Sequence, residues 1–150
     1  MRRATLIVVL CAGLWGCAGV TDIEHPFSAG ARWGADRTSE GERVFFGVPD
    51  SDDVDLLLTC QPHTGRVEVF ASAHTDRPTV MITFASGKAM SRHFMKRLES
   101  DDGYGGFTTA DDPALVAFAQ TGEIATSAAG KRIRFPPARA LAEAFLKACR

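Results

Sequence analysis

The stretch that decides the fold is residues 54–72, VDLLLTCQPHTGRVEVFAS. Apolar residues recur at every second position on both sides of a Pro-His-Thr-Gly turn, the pattern of two strands with one buried face. Similar strand-forming runs come before it at residues 43–49 and after it at residues 79–86. Because short turn-forming segments separate these runs, the sequence predicts a meander of antiparallel strands.

Two helices are predicted from capping residues and periodicity. The first begins at Asp112, a favourable N-cap followed by proline, and ends at Gly122, which suits a left-handed C-cap. The second covers residues 138–150, where one side is apolar and the other charged. Residues 89–99 fit either a helix or a strand, and a glycine-rich turn predicted at residues 101–107 favours the strand.

The predicted fold class is α+β and rich in strand: a small antiparallel β-sandwich or open barrel, with one short helix and a C-terminal helix packed on the sheet. A further hairpin is predicted to turn near Gly130. A chain of 150 residues suggests one globular domain, which we place at residues 42–150. Residues 17–41 are rich in glycine, alanine and charge without a clear period, and we interpret them as a tether.

The first sixteen residues have the organisation of a signal peptide. Arg2 and Arg3 precede an uncharged apolar run over residues 4–15. That length suits the hydrophobic part of a signal peptide and is too short to span a bilayer comfortably. No later stretch has the roughly 18 apolar residues that a spanning helix needs, so we expect no transmembrane helix.

The phrase LWGC that ends at Cys17 resembles the lipobox of bacterial lipoproteins. Leu14 and Gly16 match its large aliphatic and small positions, while Trp15 replaces the usual small residue between them. The resemblance implies a diacylglyceryl group on Cys17, membrane attachment through that lipid, and an outer-membrane location facing the periplasm, because Ala18 rather than aspartate follows. The alternative is a secreted or periplasmic protein cleaved after Ala18, since this junction also has the small-x-small pattern.

Two cysteines remain in the predicted domain, Cys60 and Cys149. An even pair in an exported chain predicts a disulfide. Cys60 falls on the apolar face of its strand and Cys149 on the apolar side of the last helix, so a bond between them would pin the helix to the sheet. Inert free thiols, a catalytic thiol or a metal site are the alternatives.

We predict no catalytic residue, metal site or cofactor. The histidines form no metal-binding pair, and we expect them on the surface; they are His25, His63, His74 and His93. Residues 50–55, DSDDVD, resemble the start of a calcium loop but lack its glycine and final glutamate, so we interpret them as a solvated acidic turn. There is no G-x-S-x-G nucleophile motif and no phosphate-binding loop.

Positive charge is concentrated in two short segments that hairpin pairing could bring together. They contain Arg92, Lys96 and Arg97, and Lys131, Arg132 and Arg134. A shared surface would bind an anionic partner such as lipopolysaccharide or a carboxylate-rich wall polymer, and ordinary solvated strand faces are the alternative interpretation. With 17 basic and 18 acidic residues, the whole chain has no basic field that would attract nucleic acid.

The region from Phe45 to Cys149 resembles small exported proteobacterial proteins, in its LLLTC strand and its closing ALAEAFLKAC helix. These are the TagO-type proteins associated with type VI secretion and the invasion-associated locus B group. The resemblance implies a disulfide-clamped, β-rich envelope domain with no catalytic residues to transfer. We therefore expect a monomeric, non-enzymatic envelope lipoprotein that binds an envelope protein. The alternatives are a periplasmic inhibitor of a cell-wall-degrading enzyme and a hydrolase that uses acidic residues with His63 or His93.

Overall fold

A computed structural model describes residues 19–23, 26–99 and 103–150. Within them, one sheet curls into a half-barrel and two helices are present, so the predicted α+β, β-rich class is confirmed, in its open-barrel form. The strands are β1 (Thr21–Asp22), β2 (Arg32–Thr38), β3 (Gly41–Gly47), β4 (Val54–Cys60), β5 (Arg66–Ser72), β6 (Thr79–Ser86), β7 (Ala89–Arg97), β8 (Gly103–Thr109), β9 (Ala125–Ala128) and β10 (Lys131–Arg134). The helices are α1 (Pro113–Thr121) and α2 (Arg139–Cys149).

The strands follow the order β1-β10-β9-β6-β7-β8-β5-β4-β3-β2 across the sheet. β2 to β5 form an antiparallel meander, but β5 then pairs with β8 rather than with β6, so the predicted adjacency of β5 and β6 is wrong. The buried Tyr104 of β8 gives the physical reason. Its single O–H is shared between the carbonyls of Thr75 and Arg77, at 2.8 and 2.7 Å, which holds the connection between β5 and β6 across the end of β8.

The elements around β7 agree with the sequence in part. Residues 89–97 form a strand, as the sequence favoured, and β9 and β10 form the hairpin predicted near Gly130. The glycines of Gly103–Phe107, predicted as part of a turn, instead lie in β8. They fit there because β8 is packed closely on both sides, and a side chain at Gly106 would press against Met95 of β7.

The sheet also includes residues that we predicted as a tether. β1 pairs with β10, and β2 pairs with β3 along its whole length, so the folded region begins before residue 42. Trp33 of β2 lies against the rings of Phe46, Phe118 and Phe135. β2 was missed because it is a sheet edge with largely polar, exposed residues, so its apolar alternation is weak.

Both helices bury their apolar residues in the common core. α1 is capped by Asp112 and ends at Gly122, which adopts the predicted left-handed conformation with φ 81°. The predicted disulfide joins Cys60 at the end of β4 to Cys149 at the end of α2, with the Cα atoms 5.7 Å apart. In the part of the chain that the structure describes, no helix is long and apolar enough to cross a membrane.

Candidate functional site

The two faces of the sheet have different surroundings. On β3 to β10, alternate residues belong to the core that the helices complete, and the residues between them point to the opposite side, which we call the outer face. The two halves of the outer face differ in charge, and each half has a feature of functional interest.

The strands of the half formed by β6 to β10 carry only basic charges. These five strands contain six cations and no carboxylate. The cations are the six predicted residues: Arg92, Lys96, Arg97, Lys131, Arg132 and Arg134. Only β6 and β9 lie between the two strands that carry them, so the sheet brings both predicted clusters into one region.

Strand alternation divides these six cations between the faces. Arg92 and Lys96 alternate with the buried Met95, and Arg132 and Arg134 flank the buried Ile133, so these four point to the outer face. The remaining two, Arg97 and Lys131, share the alternation of the core residues. Arg97 lies there with its guanidinium 3.6 Å from the carboxylate of Asp76.

One row across the sheet connects the two groups of outer-face cations. Arg92 pairs with Thr83, Thr83 with Ser127, and Ser127 with Arg132. With strands about 4.8 Å apart, the backbones of Arg92 and Arg132 are roughly 14 Å from one another. Thr83 and Ser127 therefore lie between the two arginines, and the four residues form a polar strip that can contact an extended anionic surface.

Few of these cations are neutralised by neighbouring carboxylates. Arg134 lies 3.3 Å from the carboxylate of Asp22 in β1. Among the described residues, no ion pair involves Arg92, Lys96 or Arg132, and the buried Nε of Arg132 has no hydrogen-bond partner. Three of the four outer-face cations therefore have no ion pair among the described residues, and this face keeps a positive potential.

Large apolar side chains are exposed among these cations. Phe94 is 80% exposed on β7 and pairs with Met81 of β6. Phe107 of β8 is also exposed and lies 3.9 Å beneath the guanidinium of Arg66. We call this surface the basic–apolar face. It consists of Met81, Met90, Arg92, Phe94, Lys96, Phe107, Arg132 and Arg134.

The sequence analysis missed the apolar part of this face. It singled out neither Phe94 nor Phe107 as exposed, because most aromatics of a small domain are buried. The available signal was their strand position: Phe94 alternates with His93 and Met95, so only one of these sets can face the core. That signal becomes useful only once residues 89–97 are known to be a strand.

The half formed by β2 to β5 carries an acidic cleft with a volume of about 780 Å³. Its apolar residues, Phe45, Leu57 and Phe70, pair across β3, β4 and β5. The rings of Phe45 and Phe70 lie over Gly34 and Gly103, where no side chain would fit. The carboxylates that line the cleft are Asp36, Asp50, Asp52, Asp53 and Asp55.

Two of the carboxylates in the acidic cleft are electrostatically perturbed. Arg43 donates two hydrogen bonds to Asp36, at 2.7 and 2.6 Å, and these hold the pKa of Asp36 below its usual value. Burial raises the pKa of Asp55, although Ser72 donates a hydrogen bond to its carboxylate at 3.0 Å. The described residues contain no group of three or more His, Cys, Asp or Glu side chains placed to hold a metal ion.

A third polar site surrounds Asp112, the N-cap of α1. His93 Nε2 lies 2.9 Å from Oδ2 of Asp112, Ser91 donates to Oδ1 at 2.8 Å, and Thr108 donates to Oδ2 at 3.0 Å. In a nucleophile–base–acid triad the serine would bond to the imidazole. Here the carboxylate lies between the serine and the histidine, so the arrangement is that of a satisfied cap.

The histidines do not converge on one site. His63 lies in the turn between β4 and β5, where its backbone N–H donates to the carbonyl of Ala148. Within the described ranges, no hydrogen bond or ring contact joins His63 to His93. His25, Cys17 and the whole predicted leader lie outside the described residues.

Comparison of the chain with models of protein families, with curated proteins and with solved structures finds no match. The lipobox and the resemblance to exported proteobacterial proteins therefore stay predictions.

Proposed function

We propose that this protein is a non-enzymatic lipoprotein of the bacterial envelope, anchored through an acylated Cys17, whose folded domain binds a partner. The observation that carries the proposal is the basic–apolar face. Exposed aromatic and methionine side chains grouped among uncompensated cations are typical of an interaction surface rather than of a freely solvated one. The Cys60–Cys149 disulfide supports an oxidising compartment such as the periplasm.

The arrangement of polar groups supports binding rather than catalysis. The carboxylate of Asp112, which comes closest to a catalytic arrangement, accepts hydrogen bonds from Ala114 and Leu115 as a helix cap in addition to its side-chain partners. A group whose oxygens are occupied in this way is poorly placed to hold a reacting water or substrate.

Anchoring is tested by comparing the native protein with Cys17→Ser in a bacterium that acylates lipoproteins. We expect the native chain to partition into detergent and to carry the mass of a lipid, because two or more acyl chains hold a protein stably in a bilayer. Cys17→Ser should stay in the aqueous phase. Cys11→Ser is the matched control, since it changes a leader cysteine and leaves Cys17 available.

An aqueous native protein whose chain begins at Gly19 would contradict the anchoring proposal. The same mass measurement distinguishes this outcome from acylation at a different cysteine, because the lipid would then be found on a chain with another N-terminus.

A further inference from the structure

We propose that the basic–apolar face lies flat on the anionic headgroup layer of the membrane that holds the anchor, with Phe94 and Phe107 entering the interface between headgroups and acyl chains. The docking rests on the proposed anchoring through Cys17. It goes further by assigning the occupant of the face and the orientation of the domain.

Charge is the first argument for a lipid surface. Arg92, Lys96 and Arg132 point outward without an ion pair among the described residues, and β6 to β10 contain no carboxylate. Anionic headgroups attract each lysine or arginine that lies within a Debye length of the bilayer. The carboxylates of the acidic cleft lie on the other half of the same outer face, so they are separated from these cations along the sheet. The nearer exposed carboxylate is that of Glu68, which pairs with Phe107 at the boundary between the halves.

The apolar side chains provide the second argument. Phe94 and Phe107 are exposed on neighbouring strands, Met81 pairs with Phe94, and the exposed Met90 lies further along β7 on the same face. Aromatic and methionine side chains bordered by arginine and lysine are the composition by which proteins that lie on a membrane enter its interfacial layer. Arginine and lysine can remain at the level of the headgroups while their stems lie along the apolar surface.

The third argument is the length of chain between the anchor and the sheet. β1 is held on β10 by hydrogen bonds from Thr21 to the Gly130 carbonyl and from Ile23 to the Arg132 carbonyl, each 2.9 Å. Cys17 precedes Thr21 by four residues, which span at most about 14 Å when extended. An acyl group on Cys17 would therefore hold the β10 edge, with Arg132, close to the bilayer.

The experiment uses the chain that begins at Ala18, exported behind a cleavable leader so that the disulfide forms. This chain keeps every described residue and lacks the acyl acceptor. It is mixed with vesicles of phosphatidylcholine containing phosphatidylglycerol and with vesicles of phosphatidylcholine alone. We expect it to sediment with the anionic vesicles only, and to be released as salt screens the attraction.

Matched variants assign the binding to the face. Lys96→Gln should weaken partitioning roughly fivefold, the effect of removing one cation from the membrane surface, and Phe94→Ser should weaken it several-fold. Lys147→Gln is the control, because Lys147 is an exposed lysine on α2, away from this face. Its partitioning should be unchanged. Circular dichroism of each variant confirms that the fold is kept.

Equal binding to both kinds of vesicle, or equal losses for Lys96→Gln and Lys147→Gln, would overturn the docking. So would absence of vesicle binding together with a dimer that Phe94→Ser dissociates, because the face would then be a contact between copies. Different outcomes refute the docking of the face and the anchoring through Cys17. If the native protein is acylated but the chain that begins at Ala18 does not bind anionic vesicles, the docking alone is refuted. If the native protein is not acylated, the anchoring alone is refuted.

Discussion

Asp112 is buried, with its side chain only 4% exposed, and both of its oxygens are used. It accepts hydrogen bonds from the first turn of α1 and from side chains of two strands, β7 and β8. A buried carboxylate is tolerated when its hydrogen-bonding capacity is filled in this way. This single residue therefore positions α1 against the sheet as well as starting the helix.

We predict that Asp112→Ala lowers the free energy of unfolding by about 2–4 kcal/mol, because the helix loses its cap and buried donors lose their acceptor. Urea denaturation measures the change. Asp111→Ala is the neighbouring control: Asp111 is 85% exposed and forms an ion pair with the half-exposed Arg150. Its loss should be below about 0.5 kcal/mol. Similar losses for the two variants would contradict the role of Asp112.

Unlike Asp112, the carboxylate of Asp55 lowers the stability of the folded protein at neutral pH. Its pKa in the folded protein is raised by burial, so folding favours its protonated form. The stability it contributes is fully present below the carboxyl's ordinary pKa and is lost as the pH rises through the raised value. We therefore expect Asp55→Asn to raise the midpoint of thermal unfolding at pH 7, with a difference that shrinks as the pH falls towards 4. A constant difference across this range would contradict the prediction.

At the scale of elements, β7 illustrates how a strand is chosen over a helix. Its apolar residues fit both periods, and the sequence alone leaned to strand only because of the glycines that follow. In the structure the whole of Ala89–Lys96 pairs in register with β6, and β8 pairs with its end. Backbone pairing on both sides is a long-range contribution that no local pattern contains.

The disulfide makes α2 dependent on β4. It closes a loop with a sequence separation of 89 residues between two buried cysteines. Replacing both cysteines by alanine should lower the free energy of unfolding by about 4.5 kcal/mol on the chain-entropy estimate for a loop of this length. Urea denaturation of the oxidised protein and the double variant measures the loss.

Thiol labelling provides the control for this prediction. Cys60 and Cys149 should both resist alkylation in the native protein without reductant and should both react after reduction and unfolding. Alkylation of both residues in the untreated native protein would show that the bond is absent, and a small change in the double variant would then be expected.

At the scale of the molecule, the folded region includes segments that precede the sequence-predicted boundary at residue 42. Trp33 contacts three core phenylalanines, and its indole N–H donates to the Pro136 carbonyl at 2.6 Å. β2 thus covers core residues at one edge of the sheet, and β1 covers the other edge at β10.

We expect a chain that begins at residue 42 to be destabilised by several kcal/mol, because it lacks Trp33 and exposes the edge of β3. Thermal unfolding and light scattering measure the lowered midpoint and the association of exposed edges. The chain that begins at Ala18 is the control and should match the mature protein. A truncated chain as stable as the control would show that β1 and β2 are dispensable.

The sequence by itself determined most elements and their caps. Alternation in residues 54–72, the Asp-Pro start of α1, Gly122 and the amphipathic last helix are local signals, because backbone conformation and one buried face depend on neighbouring residues. The pairing of Cys60 with Cys149 could also be predicted, since each lies on the apolar side of its own element.

Only the tertiary structure decided which elements meet. The order of strands depends on contacts between residues distant in sequence, such as those of the Tyr104 hydroxyl with the connection between β5 and β6. No pattern of neighbouring residues predicts such contacts. The six cations were named from the sequence, but the fold placed four of them on one face, beside Phe94 and Phe107. Side chains alternate between the faces of a strand, so a surface shared by four strands exists only after every register is set.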